Sequence, residues 1–329
     1  MSDPAQRPSV AIASLSIRDF RGLDRLELDF RGPDGHPNSL VVLAGPNGCG
    51  KTAVLEAALI LAGGADLITG LRGRPATRRG ANDYELQAEF QSGTTTWRSK
   101  DISGASNPLL PALVSHWYFS SWRAPTLVGP VNPTVGRRGR RPAGTDQNRL
   151  LNVKQELVTA ATLERFENPL PHLGRYSTVI RAINDAWREF YPAADEAFEV
   201  GVVLTPEESE TGGGSFDVYL RTPEGHRLEI DLLSAGQLEL FLFLGALALN
   251  DGRRGIIFID EPELHLDPQW HRPILRSLMR LQPHAQLVVA THSPEIYDAA
   301  ASYERHYLVP EDDPRSWLWA QHGGVESGV

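Results

Sequence analysis

One octapeptide constrains the fold of this chain more than any other stretch. Residues 45–52 read GPNGCGKT, a G-x-x-x-x-G-K-[ST] pattern. It follows "SLVVLAG", a continuous β-rich run of the kind a buried parallel strand shows. It precedes "AVLEAALILA", which is helical in character. Strand, glycine-rich turn and helix in this order make a phosphate loop. Gly45, Gly48 and Gly50 let the backbone turn sharply and aim N–H groups at phosphate oxygens. Pro46, Asn47 and Cys49 complete the loop, with Cys49 read as a small space-filler without a redox role. The helix start adds the positive end of its dipole. Lys51 is placed to reach the β and γ phosphates, and the Thr52 hydroxyl to ligate Mg²⁺.

Two later runs supply the groups that such a loop needs for chemistry. In "GIIFIDEPELHLDP", "IIFI" reads as a second buried strand that delivers Asp260 and Glu261 to its carboxyl end, where α/β sheets bind ligands. Asp260 is placed to hold Mg²⁺ through its water shell. Glu261 is placed to polarise an attacking water, with charge stabilisation left to Mg²⁺ and Lys51. "QLVVATHSP" reads as a third buried strand ending at His292, a side chain able to contact the γ-phosphate and orient the water. Upstream of the loop, "VAIASLSI" and "LDRLELDF" flank "RDFRGL" and alternate apolar with polar residues, as strands do. "YELQAEF" and "TTTWRS" extend that lobe. In "DLLSAGQLEL", a small polar turn opens a buried helix, "FLFLGALAL", and read alone Ser234 is its N-cap.

Composition narrows the setting. The 329 residues are 41% hydrophobic and 22% charged, enough for one large domain or two lobes. The longest apolar run, Leu238 to Leu249, contains Glu239 and is too short to cross a bilayer. The opening MSDPAQRPS lacks the apolar core of a signal peptide, so the expected location is cytoplasmic, with no membrane partner. A single cysteine excludes an internal disulfide and fits a reducing cytosol. No repeat and no zinc-like ligand spacing is found. The charge is segregated. Arg72 to Arg149 carries 12 Lys/Arg against 5 Asp/Glu, a net of +7, which leaves −16 for the rest of a −9 chain. The clusters are Arg72, Arg74, Arg78, Arg79 and Arg137, Arg138, Arg140, Arg141. They are either nucleic-acid contacts or solvated arginine-rich loops.

Taken in order, GPNGCGKT, LSAGQ, IIFIDEP, HLDP and ATHSP resemble the Walker A, signature, Walker B, D-loop and H-loop of ABC-type ATPases. "SLSIRDFRGLDRLELDF" and "DEPELHLDP" resemble the SMC, RecF and OLD branch of that family. The resemblance implies an α/β ABC-ATPase (P-loop NTPase) head. It would have an antiparallel N-terminal layer, a central helical insertion and a parallel-strand C-terminal lobe. The boundaries within the single domain 1–329 are 1–125, 126–200 and 201–329. It implies ATP and Mg²⁺, and a homodimer or higher oligomer in which ATP is sandwiched between copies. Ser234, Gly236 and Gln237 would cover the γ-phosphate bound by a second copy, and Asp267 would lie on the same interface. Arg21, in "DFRG", resembles a family position near the nucleotide.

The chain also departs from the family. SMC-like proteins carry a long coiled coil between Walker A and the signature, whereas here about 180 residues intervene without a persistent heptad pattern. "LNVKQELVTAATLERF" is helical in character. "RYSTVIRAINDAWREF" puts Val179, Ile180, Ile183, Trp187 and Phe190 on one helical stripe, read as packed core. The signature has SAG where SGG is commoner. "SHWYFSSWRAPTLVGP" occupies the Q-loop region without a glutamine in the expected place. Arg123 and the aromatics Trp117, Tyr118, Phe119 and Trp122 there read as lid, partner surface or, for most of the rings, core. No TOPRIM domain is visible in the roughly 37 residues after His292, too few for a typical domain. The expectation is a stand-alone, ATP-hydrolysing switch in DNA repair and maintenance or in anti-phage defence, controlling a separately encoded effector such as a nuclease. The alternatives are the nucleotide-binding subunit of a membrane transporter and a non-hydrolysing ATP-dependent scaffold.

Overall fold

The computed structural model describes residues 10–68, 76–91, 93–98, 115–121, 126–133, 149–167, 174–192, 194–203, 215–250 and 255–309. In chain order the first elements are β1 (Ile12–Phe20), β2 (Leu23–Asp29), β3 (Leu40–Ala44), α1 (Lys51–Leu61), β4 (Glu85–Phe90), β5 (Gly93–Arg98) and β6 (Ser115–Phe119). Then come α2 (Arg149–Glu167), α3 (Arg175–Phe190), β7 (Ala197–Val203), β8 (Ser215–Arg221), β9 (Arg227–Glu229) and α4 (Ala235–Leu249). The last are β10 (Gly255–Asp260), α5 (Pro268–Leu281), β11 (Ala285–Thr291), α6 (Pro294–Ala299) and β12 (Arg305–Tyr307). They form two compact units. One comprises residues 1–121, 253–263 and 283–329, and the other residues 122–252 and 264–282.

The first unit holds two sheets. Antiparallel strands run in the order β2-β1-β4-β5, and parallel strands in the order β12-β3-β11-β10-β6. β3, β10 and β11 are buried at every residue, which is why their sequences are continuous apolar runs rather than alternating ones. β1 faces a core on one side only and alternates from Leu15 to Arg18. α1 packs against β1, β4 and β5 of one sheet and β10 and β11 of the other. Every residue of α1 except Thr52 is consequently buried. The buried Gln286 on β11 joins the layers. Its amide accepts from Ile12 N at 2.8 Å and donates to Ile12 O at 3.0 Å and Asn38 O at 2.9 Å. Three polar bonds satisfy an amide that would otherwise be costly to bury.

The second unit is mostly helical. α3 packs against α2, α4 and α5, and its stripe buries Val179, Ile183, Trp187 and Phe190 as core, together with Ala186, with Ile180 half-buried. α2 packs against β8, and β7-β8-β9 make a small antiparallel sheet. The expected antiparallel layer, helical insertion and parallel strands are all present. The parallel sheet, however, takes β3 and β6 from the first 121 residues as well as β10 to β12 from the end. β6 and the β7-β8-β9 sheet were not anticipated. "SHWYF" forms the edge strand beside β10, with Phe119 fully buried and Trp117 and Tyr118 half-buried. Arg123 and Trp122 lie outside the described residues. Among the described residues, no helix is long and apolar enough to cross a membrane.

Candidate active site

The phosphate loop leaves β3 at Ala44 and enters α1 at Lys51. Two glycines are obligatory in it. Gly45 has φ 154° and lies so close to the end of the parallel sheet that a Cβ would stand 2.3 Å from Leu308 O and 2.7 Å from Cys49 Sγ. Gly50 is left-handed at φ 96°, where a Cβ would meet Leu23 Cδ2 at 2.6 Å. As N-cap of α1, Gly50 offers no side-chain acceptor, and the first turn carries no acidic residue. The N–H groups and positive dipole of that helix start are left to an outside anion.

Lys51 is 5% exposed, and its three ammonium donors each meet an acceptor. Nζ donates to Gly45 O at 2.9 Å and Pro46 O at 3.0 Å, and it lies 3.3 Å from His292 Nδ1. All three partners are uncharged. A buried cation surrounded by neutral acceptors is poorly compensated, and that favours an anionic ligand. An ammonium has no lone pair, so His292 Nδ1 must be the acceptor in this contact. That leaves Nε2–H to donate to Glu261 Oε1, 3.1 Å away. The imidazole thus bridges the loop lysine to the candidate base.

Glu261 has φ 52°, in the left-handed region that non-glycine residues seldom occupy. Its N–H still donates to Ala290 O at 2.8 Å, carrying the β10–β11 ladder one residue past Asp260 before the chain turns away. Asp260 is 1% exposed, and its Oδ2 accepts from Thr52 Oγ1 at 2.9 Å. A hydroxyl and a buried carboxylate at this separation fit a hard divalent cation, so Thr52 and Asp260 would hold Mg²⁺. When bound, Mg²⁺ would supply charge stabilisation to a phosphoryl group. Burial pushes the Cys49 thiol up from its ordinary value, in line with a space-filling thiol rather than a reactive thiolate. Arg21 sits on the β1–β2 turn at φ 52°, and its guanidinium pairs with Glu56 of α1 at 2.6 Å.

In the other unit the candidate residues cap helices. Ser234 Oγ accepts from Gln237 N at 3.3 Å, and Gln237 Oε1 accepts from Ser234 N at 3.1 Å, a complete capping box on α4. Gly236 lies against the segment before α5, where a Cβ would stand 2.5 Å from His265 O. Asp267 caps α5, its Oδ1 accepting from Gln269 N at 3.0 Å. Of the arginine clusters, Arg78 pairs with Asp24 at 2.7 Å and Arg79 is exposed. Arg72, Arg74 and Arg137 to Arg141 lie outside the described residues.

The sequence reading missed two groups. Glu263 Oε1 accepts from Thr291 Oγ1 at 2.8 Å, His292 N at 2.6 Å and Ser293 N at 3.2 Å. Its position within "DEPE", beside two recognised acids, was the available signal. Lys154, in the middle of α2, is 0% exposed. It meets Asp217 at 2.7 Å and Gly129 O at 2.9 Å, and it is paired with Asp231. Nothing in "LNVKQEL" distinguishes it from a surface lysine.

A phosphate loop, a strand-end Asp-Glu pair and a strand-end histidine converge at one end of a parallel sheet that is backed by an antiparallel layer. This arrangement and the likenesses that follow support an ABC-type ATPase of the SMC/RecF/OLD-like branch. Residues 152–298 match the family described as "AAA domain, putative AbiEii toxin, Type IV TA system", and residues 14–95 match one described as "AAA domain". The chain is similar to the Septu protein PtuA of Bacillus thuringiensis, at 22% identity over 92% of this chain and 77% of that protein. It is similar to the Septu protein PtuA of Bacillus mycoides at 23% identity, over 86% of this chain but only 38% of that protein. Its fold is similar to the crystal structure of an Smc head bound to the C-terminal winged-helix domain of ScpA. There the TM-score is 0.54 and the identity 15%, covering 88% of this chain and 92% of that one.

Proposed function

We propose that this chain binds ATP with Mg²⁺, hydrolyses it, and acts as a nucleotide-dependent switch in anti-phage defence. In that reading ATP is clamped between two copies, with Ser234, Gly236, Gln237 and Asp267 of one facing the triphosphate held by the other. The switch controls a separately encoded effector. Similarity to the Septu protein PtuA supports placement in defence rather than repair. The observation that carries the ATPase reading is the pair of contacts Lys51–His292–Glu261 and Thr52–Asp260 within one unit. Lys51 and the loop N–H groups bind and orient the phosphates. Glu261 takes a proton from the attacking water, and His292 keeps that carboxylate in place. Charge that develops on the transferred phosphoryl group is met by Lys51.

The test is Glu261→Gln. Hydrolysis should fall by roughly 10²- to 10⁴-fold, the usual contribution of a general base. Nucleotide binding should persist, and an ATP-bound dimer should accumulate in sedimentation. Unchanged turnover removes Glu261 from the chemistry, and a monomer in saturating Mg-ATP removes the sandwich.

A further inference from the structure

We propose that Glu263 is a positioning residue of this site, a carboxylate clamp that holds His292 and Glu261 in working register. The proposal rests on the ATPase reading above and assigns that site its support. Glu263 Oε1 takes hydrogen bonds from the Thr291 hydroxyl and from two successive backbone N–H groups, His292 N and Ser293 N. Those two N–H groups lie where β11 ends and the chain turns into α6. One oxygen therefore fixes the turn that aims the His292 ring. Ser293 N is also 2.9 Å from Thr291 Oγ1, which locks the threonine rotamer into the same arrangement. Oε2 of Glu263 is shielded from solvent and has no hydrogen-bond partner among the described residues. The side chain is thus committed to the turn through a single oxygen.

The clamp also closes a loop around Glu261. The segment leaving β10 is tied to β11 first by Glu261 N to Ala290 O, at 2.8 Å, and again by Glu263 to residues 291–293. Between the two ties lie Glu261, at φ 52°, and the buried Pro262. A left-handed glutamate persists only when both flanks hold it, and Glu263 is the second flank. The carboxylates of Glu261 and Glu263 therefore divide the work. Glu261 faces the His292 ring at 3.1 Å, and Glu263 holds the backbone that carries that ring.

Three measurements test this. Glu263→Leu should lower kcat at least tenfold while the KM for ATP and the affinity for Mg-ADP stay within about twofold, because the phosphate loop is untouched. Glu263→Gln, whose amide oxygen accepts the same bonds, should recover most of the lost kcat. In ¹⁵N-labelled protein without nucleotide, the His292 ring should report a single Nε2–H tautomer in wild type and Glu263→Gln, and an averaged signal in Glu263→Leu. Unchanged kcat in the leucine variant, kcat and nucleotide affinity falling together, or no rescue by glutamine each overturn the clamp. If the leucine variant does not fold, Thr291→Val, which removes one donor, takes its place with the same expectations at smaller amplitude. If wild type shows no turnover, the ATPase reading fails. The His292 signal, which needs no hydrolysis, then decides the clamp by itself.

Discussion

Among the described residues two lysines are buried, one in each unit, and they are surrounded differently. Lys51 is 5% exposed among two carbonyls and an imidazole, all neutral. Lys154 is 0% exposed between the carboxylates of Asp217 and Asp231, with Gly129 O as a third acceptor. A buried ammonium with carboxylates around it is structurally complete and costly to disturb. One without them retains attraction for a ligand phosphate. The same contrast runs through the motif residues. Lys51, His292 and Glu261 are linked in a row and Thr52 bonds Asp260, whereas Ser234, Gln237 and Asp267 are engaged in capping α4 and α5. Groups that act together within one chain leave their geometry in that chain. Groups proposed to act on a second copy are visible here only as local architecture.

The sharpest way to break the contrast is Lys154→Met. Removing one partner of a buried ion cluster leaves carboxylates uncompensated and should cost about 3–5 kcal/mol. The loss is read from urea unfolding followed by the fluorescence of the buried Trp187 in the same unit. A loss under about 1 kcal/mol, the range of an exposed pair, would show that the cluster is not structural.

pH should separate the units next. Burial lowers the His306 pKa to about 4, and the nearby Asp29 carboxylate offsets this only in part. Between pH 6.5 and 4 the unfolded chain binds a proton that the folded chain refuses. The first unit should therefore lose up to about 3 kcal/mol across that window on acidification, and nothing above it. Burial raises the Tyr191 phenol to about 12, against an opposing hydrogen bond from Gln237. The second unit should accordingly weaken as the pH climbs from 10 towards 12, where only the unfolded phenol ionises readily. Thermal unfolding across pH 4 to 7 with His306→Phe, which packs a ring beside Phe30 without a titrating group, should flatten the acid limb alone. An acid limb that survives this substitution rules His306 out as its source.

Lys51→Met sharpens the contrast from the other side. It should shift unfolding stability by less than about 1 kcal/mol, since it removes a poorly compensated charge. ATP affinity should fall on the order of 10- to 100-fold, the worth of a charged hydrogen bond, measured by titration calorimetry. A stability loss matching that of Lys154→Met would make the two lysines equivalent.

The smallest effect separates cap from lid at Ser234. Ser234→Ala should cost about 1 kcal/mol as the cap is lost, and Ser234→Asp, an equally good cap, should restore it. If Ser234 also faces a partner's triphosphate, the aspartate should still abolish the ATP-bound dimer in sedimentation. Retention of that dimer confines Ser234 to capping.

Much of this could be read before the structure, for local reasons. Residues 45–52 announce themselves because strand, turn and helix are consecutive, and β10 and β11 because full burial makes continuous apolar runs. Ser234 as a helix cap was equally local. What escaped depends on distant partners. Glu263 means nothing until Thr291 to Ser293 stand beside it, and Lys154 reads as a solvated helix residue until Asp217 and Asp231 converge on it. β6 was missed because "SHWYF" mixes polar and aromatic residues, and only pairing with β10 makes it a strand. β7 and β8 were missed because their burial patterns do not alternate cleanly, so the period that betrays a half-buried strand is absent.

The interleaving of the parallel sheet has a consequence for biosynthesis. β3 emerges from the ribosome well before its neighbours β11 and β12, and Gln286 binds Ile12 across 274 positions. Sheets closed over such separations form slowly and late. Gly45 cannot settle against the carbonyl of Leu308 until that residue exists. A nascent or prematurely terminated chain therefore carries the whole GPNGCGKT segment without a cradle to hold it. Incomplete products should be silent rather than half-active.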